Sequence, residues 1–248
     1  MILDNLSRAI RTQNWLAAGI EFVIVIAGVV IGFQINAWAE ARAAAAREAV
    51  LLDRLHDELE ASVALLQRMT DGFEENGASR RRVIELMVAG QTEALAADDG
   101  AARMILSVNV LPAFSPRQGV YSEIVSSGML SDLGDAELRE ALGVYQASIA
   151  YLQGQIDYMR WSHTAETSVT DFEFLTRTFA PGRGLDVDYT IDWRRALESP
   201  DFTQAVLENH ASSLAMARWW GGTLDSARAA CAETGRLTGR ICGAGENP

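Results

Sequence analysis

The stretch from Trp15 to Trp38, WLAAGIEFVIVIAGVVIGFQINAW, constrains this chain more than any other. An α-helix rises ~1.5 Å per residue, so this segment covers roughly 35 Å, enough to cross a hydrocarbon layer of ~30 Å. Val23, Ile24, Val25, Ile26, Val29, Val30 and Ile31 would favour a strand in water. In lipid a lone segment must satisfy its own backbone, which favours a helix. Trp15 and Trp38 stand at the two ends as interfacial anchors. A cleaved signal peptide is the competing reading, with Arg8 and Arg11 as its basic region and Ala37-Trp38-Ala39 as its cleavage site. The apolar run exceeds the ~7–15 residues of such a peptide, and it contains Glu21, Gln34 and Asn36. A retained transmembrane helix is therefore expected.

One stripe of this helix differs from the rest. Glu21, Val25, Gly28, Gly32 and Asn36 follow a 4-3-4-4 spacing and share one face. Gly28 and Gly32 form a G-x-x-x-G pair, which lets two helix backbones approach closely, and Glu21 and Asn36 are polar groups costly in lipid unless paired. The stripe is expected to contact other transmembrane helices, of the same chain or of a partner. The plain alternative is common membrane glycine with Glu21 reaching the near interface. Flanking charge gives only weak support for N-terminus in, because Arg8 and Arg11 before the segment are matched by Arg42 and Arg47 after it.

The chain divides accordingly into a cytoplasmic stub, 1–14, a transmembrane helix, 15–38, a periplasmic helical domain, 39–242, and a flexible tail, 243–248. Net charge is −12, all of it beyond residue 38. That balance argues against nucleic acid, which needs a basic footprint, and against a bed of anionic lipid. All 21 basic residues are Arg, which with the abundant Ala suggests a GC-rich bacterial source. The two cysteines, Cys231 and Cys242, enclose ten residues, and in an oxidising compartment they read as one disulfide. Two free thiols are the alternative. A metal pair does not fit, since the spacing is not C-x-x-C and no His lies nearby.

Beyond the apolar segment the chain reads as mainly α, the membrane helix continuing into a periplasmic helical bundle. Residues 40–69 are strong helix formers without Gly or Pro. Leu52, Leu55, Leu59, Leu66, Met69 and Phe73 fall on a/d heptad positions, with Ser62 the polar exception. They suit a coiled-coil stalk or the first helix of a bundle. Asp71-Gly72 and Asn76-Gly77 are expected to end or bend that helix. A second helix is expected near 78–97 with Arg80-Arg81-Arg82 on its first turn, a run that reads as a solvated face, with an acidic partner as the sharper alternative. A third helix is expected near 101–110. Gly128 should close a short helix, with Leu130 and Leu133 dipping into the core. Asp135 should cap a long helix with Leu138, Leu142, Tyr145, Ile149, Leu152, Ile156 and Met159 along its apolar face, reaching as far as Phe179 with a kink near Gly154. Residues 181–192 read as a loop with some extended character. Ser199-Pro200 starts a last helix running to about Thr234.

Two segments carry a family resemblance: Gly19-Ile20-Glu21, Gly28 and Gln34-Ile35-Asn36-Ala37-Trp38-Ala39-Glu40, then Ile124, Ser126-Ser127-Gly128-Met129-Leu130, Leu138-Arg139, Leu142 and Tyr145. Together they resemble a family of bacterial single-pass inner-membrane proteins of unknown function. The chain departs from that pattern at Ala39, where other members have Asn, and at Ile20, which separates Gly19 from Glu21. The resemblance implies a membrane-anchored, mostly helical outer domain. It implies no activity.

No chemistry-bearing motif stands out. His56, His163 and His210 are far apart, and Asp53-x-x-His56 and His163-x-x-Glu166 lack the repeated Glu-x-x-His pairs of a metal-holding bundle. No phosphate loop, nucleophile elbow or dinucleotide fingerprint is present, so no cofactor and no catalytic residue is assigned. Tyr145, Tyr151, Tyr158 and Trp161 lie at roughly helical spacing and read as core. The expected function is a structural or accessory subunit of a larger membrane complex, in contact with the bilayer and with other transmembrane helices. The alternative is a periplasmic ligand-binding or sensor module, for which the 14-residue stub supplies no output domain.

Overall fold

The computed structural model describes residues 15–106, 113–165, 169, 171–182 and 187–243. The protein is mainly helical, and it divides into two compact units, one up to Val50 and one from Leu51 onward. The first long helix, α1 (Trp15–Val88), is continuous. Its N-terminal part is long and apolar enough to cross a membrane, and none of its apolar window is buried.

The unit from Leu51 builds two cores. The first gathers α1, α5 (Ala136–Ala165) and α7 (Pro200–Thr238). Leu52, Leu55, Leu59 and Leu66 of α1 are buried, so the heptad seam packs on its own chain. Ser62, the polar break in that seam, donates its hydroxyl to the Glu58 carbonyl (3.0 Å) and so enters the core with its polar atom satisfied. All seven apolar positions expected on α5 are buried, from Leu138 to Met159. Asp135 caps that helix by accepting from the Leu138 backbone N–H (3.0 Å). Ser199 caps α7 through the Phe202 N–H with Pro at the first turn, and Gly239 (φ +74°) closes it. His56 meets Thr234, Gln67 meets Arg228 and Phe73 meets Trp220, so α1 and α7 run antiparallel.

The second core joins the end of α1 (Val83, Ile84, Met87) to α2 (Thr92–Ala97), α3 (Ala101–Leu106), α6 (Trp193–Leu197) and the start of α7. Phe172, Phe174 and Phe202 pack there with ring centroids 5.2–5.3 Å apart, two of the three contacts edge-to-face. An antiparallel hairpin of β1 (Leu175–Phe179) and β2 (Val187–Ile191) lies over this core, with Leu175 opposite Ile191.

The structure corrects four expectations. α1 does not end near Gly72 or Gly77 but continues to Val88. A glycine in a helix costs about 1 kcal/mol, less than the packing gained by Leu66, Met69 and Phe73 before it and Val83, Ile84 and Met87 after it. No helix therefore begins at 78, and the three arginines sit inside α1. α5 ends at Ala165 rather than reaching Phe179, because Leu175–Phe179, with its alternating threonines, pairs with 187–191 instead. Of the aromatic set only Tyr145 is core; Tyr151, Tyr158 and Trp161 are more than half exposed. α4 (Gly119–Ser126) does close at Gly128 (φ +73°), with Leu133 buried and Leu130 only partly so. The stub 1–14, residues 107–110 of the expected third helix, the side chains of Trp15 and His163, Glu166 and the tail beyond Gly243 lie outside the described residues.

Candidate functional site

On the apolar part of α1, Glu21, Val25, Gly28, Gly32 and Asn36 are all exposed. A methyl group added at Gly28 or Gly32 would meet nothing within 4 Å. Asn36 donates to Glu40 one turn on (2.9 Å), and the Arg42 guanidinium lies 5.5 Å over the Trp38 ring. The stripe is thus an open face, with its two glycines free of any neighbour.

A second locus forms where the end of α7 returns to α1. Cys231 and Cys242 are bonded, their Cα atoms 5.7 Å apart. The loop they close is seated on α1 by Arg240, whose guanidinium pairs with Asp57 (2.6 Å) and Glu60 (3.1 Å). Beneath it His56 is fully buried, its Nδ1 3.1 Å from the Thr234 hydroxyl, which itself donates to the α7 backbone. Burial holds the His56 proton affinity below its ordinary value, and Arg240 adds to this. Glu60, 3.7 Å from Nε2, favours the charged form but is outweighed. Asp53, three residues before His56, is exposed and is the weakest of the three carboxylates acting on the ring. Beside the bridge runs a groove of about 810 Å³ lined by Glu60, Val63, Gln67, Arg228 and Cys242.

The third locus is one that sequence reasoning missed. Arg80, expected in solvent, is 3 % exposed. Its Nε donates to the Met104 carbonyl (3.2 Å), and its Nη1 is buried without a hydrogen-bond partner. Burial alone acts on its proton affinity, lowering it, and among the described residues no carboxylate pairs with it. His210 on α7 likewise has a buried Nδ1 without a partner, and burial, then Arg80 and Arg81, lower its proton affinity. The helical spacing carried the signal: Arg80 stands three and four residues before Val83 and Ile84, on the same face.

A smaller cavity of about 270 Å³ is lined by Asp98, Asp99, Asp188, Tyr189 and Trp193, with Arg103 paired to Asp188 (2.9 Å). Among the described residues no group of three or more His, Cys, Asp or Glu side chains is arranged to hold a metal ion. Comparison with protein families, curated proteins and solved structures finds no match to the chain.

Proposed function

We propose that the chain is a membrane-anchored structural or accessory subunit. In this reading the apolar part of α1 spans the inner membrane of a bacterium and contacts other transmembrane helices through Glu21, Val25, Gly28, Gly32 and Asn36. The N-terminus is cytoplasmic and the unit from Leu51 is a periplasmic helical bundle, as the family resemblance of the two segments also implies. The observation that carries the reading is the open stripe: two glycines one turn apart, with no atom near where a side chain would go, between two polar residues. The bonded Cys231–Cys242 pair supports an oxidising compartment for the folded unit.

The test is purification in mild detergent of the wild type and of Gly28→Leu with Gly32→Leu. Co-purification of stoichiometric membrane partners, lost in the double variant while the folded unit stays intact, supports the reading. An unchanged set of partners, or a lone wild-type protein, refutes it. A ligand-binding module is the second reading, favoured by the groove beside the disulfide; a small molecule retained in a lone, monodisperse protein would support it.

A further inference from the structure

We infer that Arg80 and His210 form a buried binding site for a small oxyanion, a carboxylate or a phosphate. The register of α1 against α7 brings the two residues together. His56 faces Thr234, Gln67 faces Arg228 and Phe73 faces Trp220. From the first of these contacts to the last, 17 residues along α1 answer 14 back along α7. Carried two to three turns further, the same register sets Arg80 opposite His210. Val83 and Val206, beyond them in the same sense, share the second core.

Among the described residues Arg80 presents a donor without an acceptor, and His210 a buried ring nitrogen without a partner. Of the guanidinium's five N–H groups, the Nε–H is used by the Met104 carbonyl, while Nη1 is buried without a partner. The His210 Nδ1 is buried without one as well, and a neutral imidazole carries its proton on whichever nitrogen finds an acceptor. Among the described residues no counter-charge pairs with Arg80; a buried cation without one is unfavourable by several kcal/mol, and native proteins pair such groups. The missing partner is therefore an acceptor-only, negatively charged group. A planar guanidinium fork binds carboxylate or phosphate through two parallel bonds, which suits an oxyanion better than chloride. Arg81, exposed beside the site, adds positive field at its mouth. With Arg80 only 3 % exposed, the occupant is small enough to lie between the helices.

The experiment uses the full chain in nanodiscs of neutral phosphatidylcholine, with melting followed by tryptophan fluorescence. Acetate and inorganic phosphate are titrated against chloride at constant ionic strength. The wild type should show a saturable rise in melting temperature with at least one oxyanion. Arg80→Met should abolish it, and His210→Gln should weaken the apparent affinity. Should Arg80→Met fail to fold, Arg80→Lys keeps the charge without the fork and should bind about tenfold more weakly, a loss of about 1.4 kcal/mol. A parallel series in nanodiscs with anionic lipid separates sources: a midpoint already raised there, with no further response to free anion, assigns the oxyanion to a headgroup. An equal response of wild type and Arg80 variants, or none to any anion in either lipid, overturns the site.

Discussion

Reducing the Cys231–Cys242 bridge should leave the fold in place and lower its stability. The two residues are 11 apart, and closing a loop of that length removes about 3 kcal/mol of chain entropy from the unfolded state. The loop does not depend on the bridge to stay seated. Arg240 holds it to Asp57 and Glu60, and the buried His56–Thr234 contact lies beneath. The effect should therefore fall on the unfolded chain, with native tryptophan emission and helical circular dichroism unchanged at 25 °C. For a unit of about 200 residues, 1 kcal/mol shifts the melting temperature by about 2–4 °C, so reduction should lower it by about 6–12 °C. Reduction preserves volume at Cys231, which is fully buried, whereas Cys231→Ala with Cys242→Ala removes the sulfur as well and should cost about 1 kcal/mol more. The assay is a thermal melt of the full chain in nanodiscs, with and without a phosphine reductant. Equal midpoints in the two conditions would refute the entropic reasoning. Loss of native signal at 25 °C would refute the claim that Arg240 and His56 hold the loop.

Two further outcomes follow from single groups. Glu58 accepts the Val120 (2.8 Å) and Tyr121 (3.0 Å) backbone N–H groups at the start of α4, a helix without a side-chain cap of its own, so Glu58→Ala should cost about 1.5–3 kcal/mol by urea denaturation; a loss under 0.5 kcal/mol would show that the contact adds little. His56 and His210 both have proton affinities lowered by burial, so the unfolded state binds more protons below the unfolded value of about 6.5. Their contribution is complete above that pH and is lost as pH falls further. Glu123 and Asp135, held low by Arg54 and Arg236, lose theirs only in the lower carboxylate range. Melting temperature should thus begin to fall below about pH 6.5, before the carboxylates titrate, and His56→Gln should shrink that first part of the fall; a flat profile from pH 7.5 to 5 would contradict the burial of both rings.

Much of the fold was legible where a periodic pattern met a single neighbour. The inner face of α5 is buried at every expected position, and Asp135, Ser199 and Gly128 mark boundaries where their chemistry says they should. Boundaries inside α1 were not legible, because a helix with core contacts on both sides of Gly72 and Gly77 outweighs two poor helix formers. The strand β1 was hidden because its partner lies eight or more residues away, and pairing rather than local propensity decides it. On α5 the exposed Val144, Tyr151, Tyr158 and Trp161 keep seven- and three-residue steps, just as its inner face does. Spacing alone does not say which of two apolar faces meets the core. The stripe of Glu21, Val25, Gly28, Gly32 and Asn36 was legible as one face of α1 from its spacing, and all five residues are exposed.

The arginine run shows why a charge cluster is a poor guide to solvation on a helix. Successive residues turn by about 100°, so three in a row sweep about 200° of the surface. A helix that buries a stripe some 100° wide leaves little more than that sweep for solvent. A three-residue run inside such a helix therefore tends to place one member at or beyond the edge of the core. Here Val83, Ile84 and Met87 fix the buried direction, and Arg80 falls on it while Arg81 and Arg82 stay exposed. His56 on the same helix has a carboxylate at hand: its Nδ1 meets Thr234, and its buried Nε2, without a hydrogen bond, lies 3.7 Å from Glu60 one turn on. The second core offers Arg80 one backbone carbonyl and no charge of opposite sign among the described residues. A guanidinium so placed either destabilises the second core or is completed from outside the chain, and substituting Arg80 by an apolar residue of similar length separates the two: net stabilisation at every anion concentration means the first, and loss of anion-dependent stability means the second.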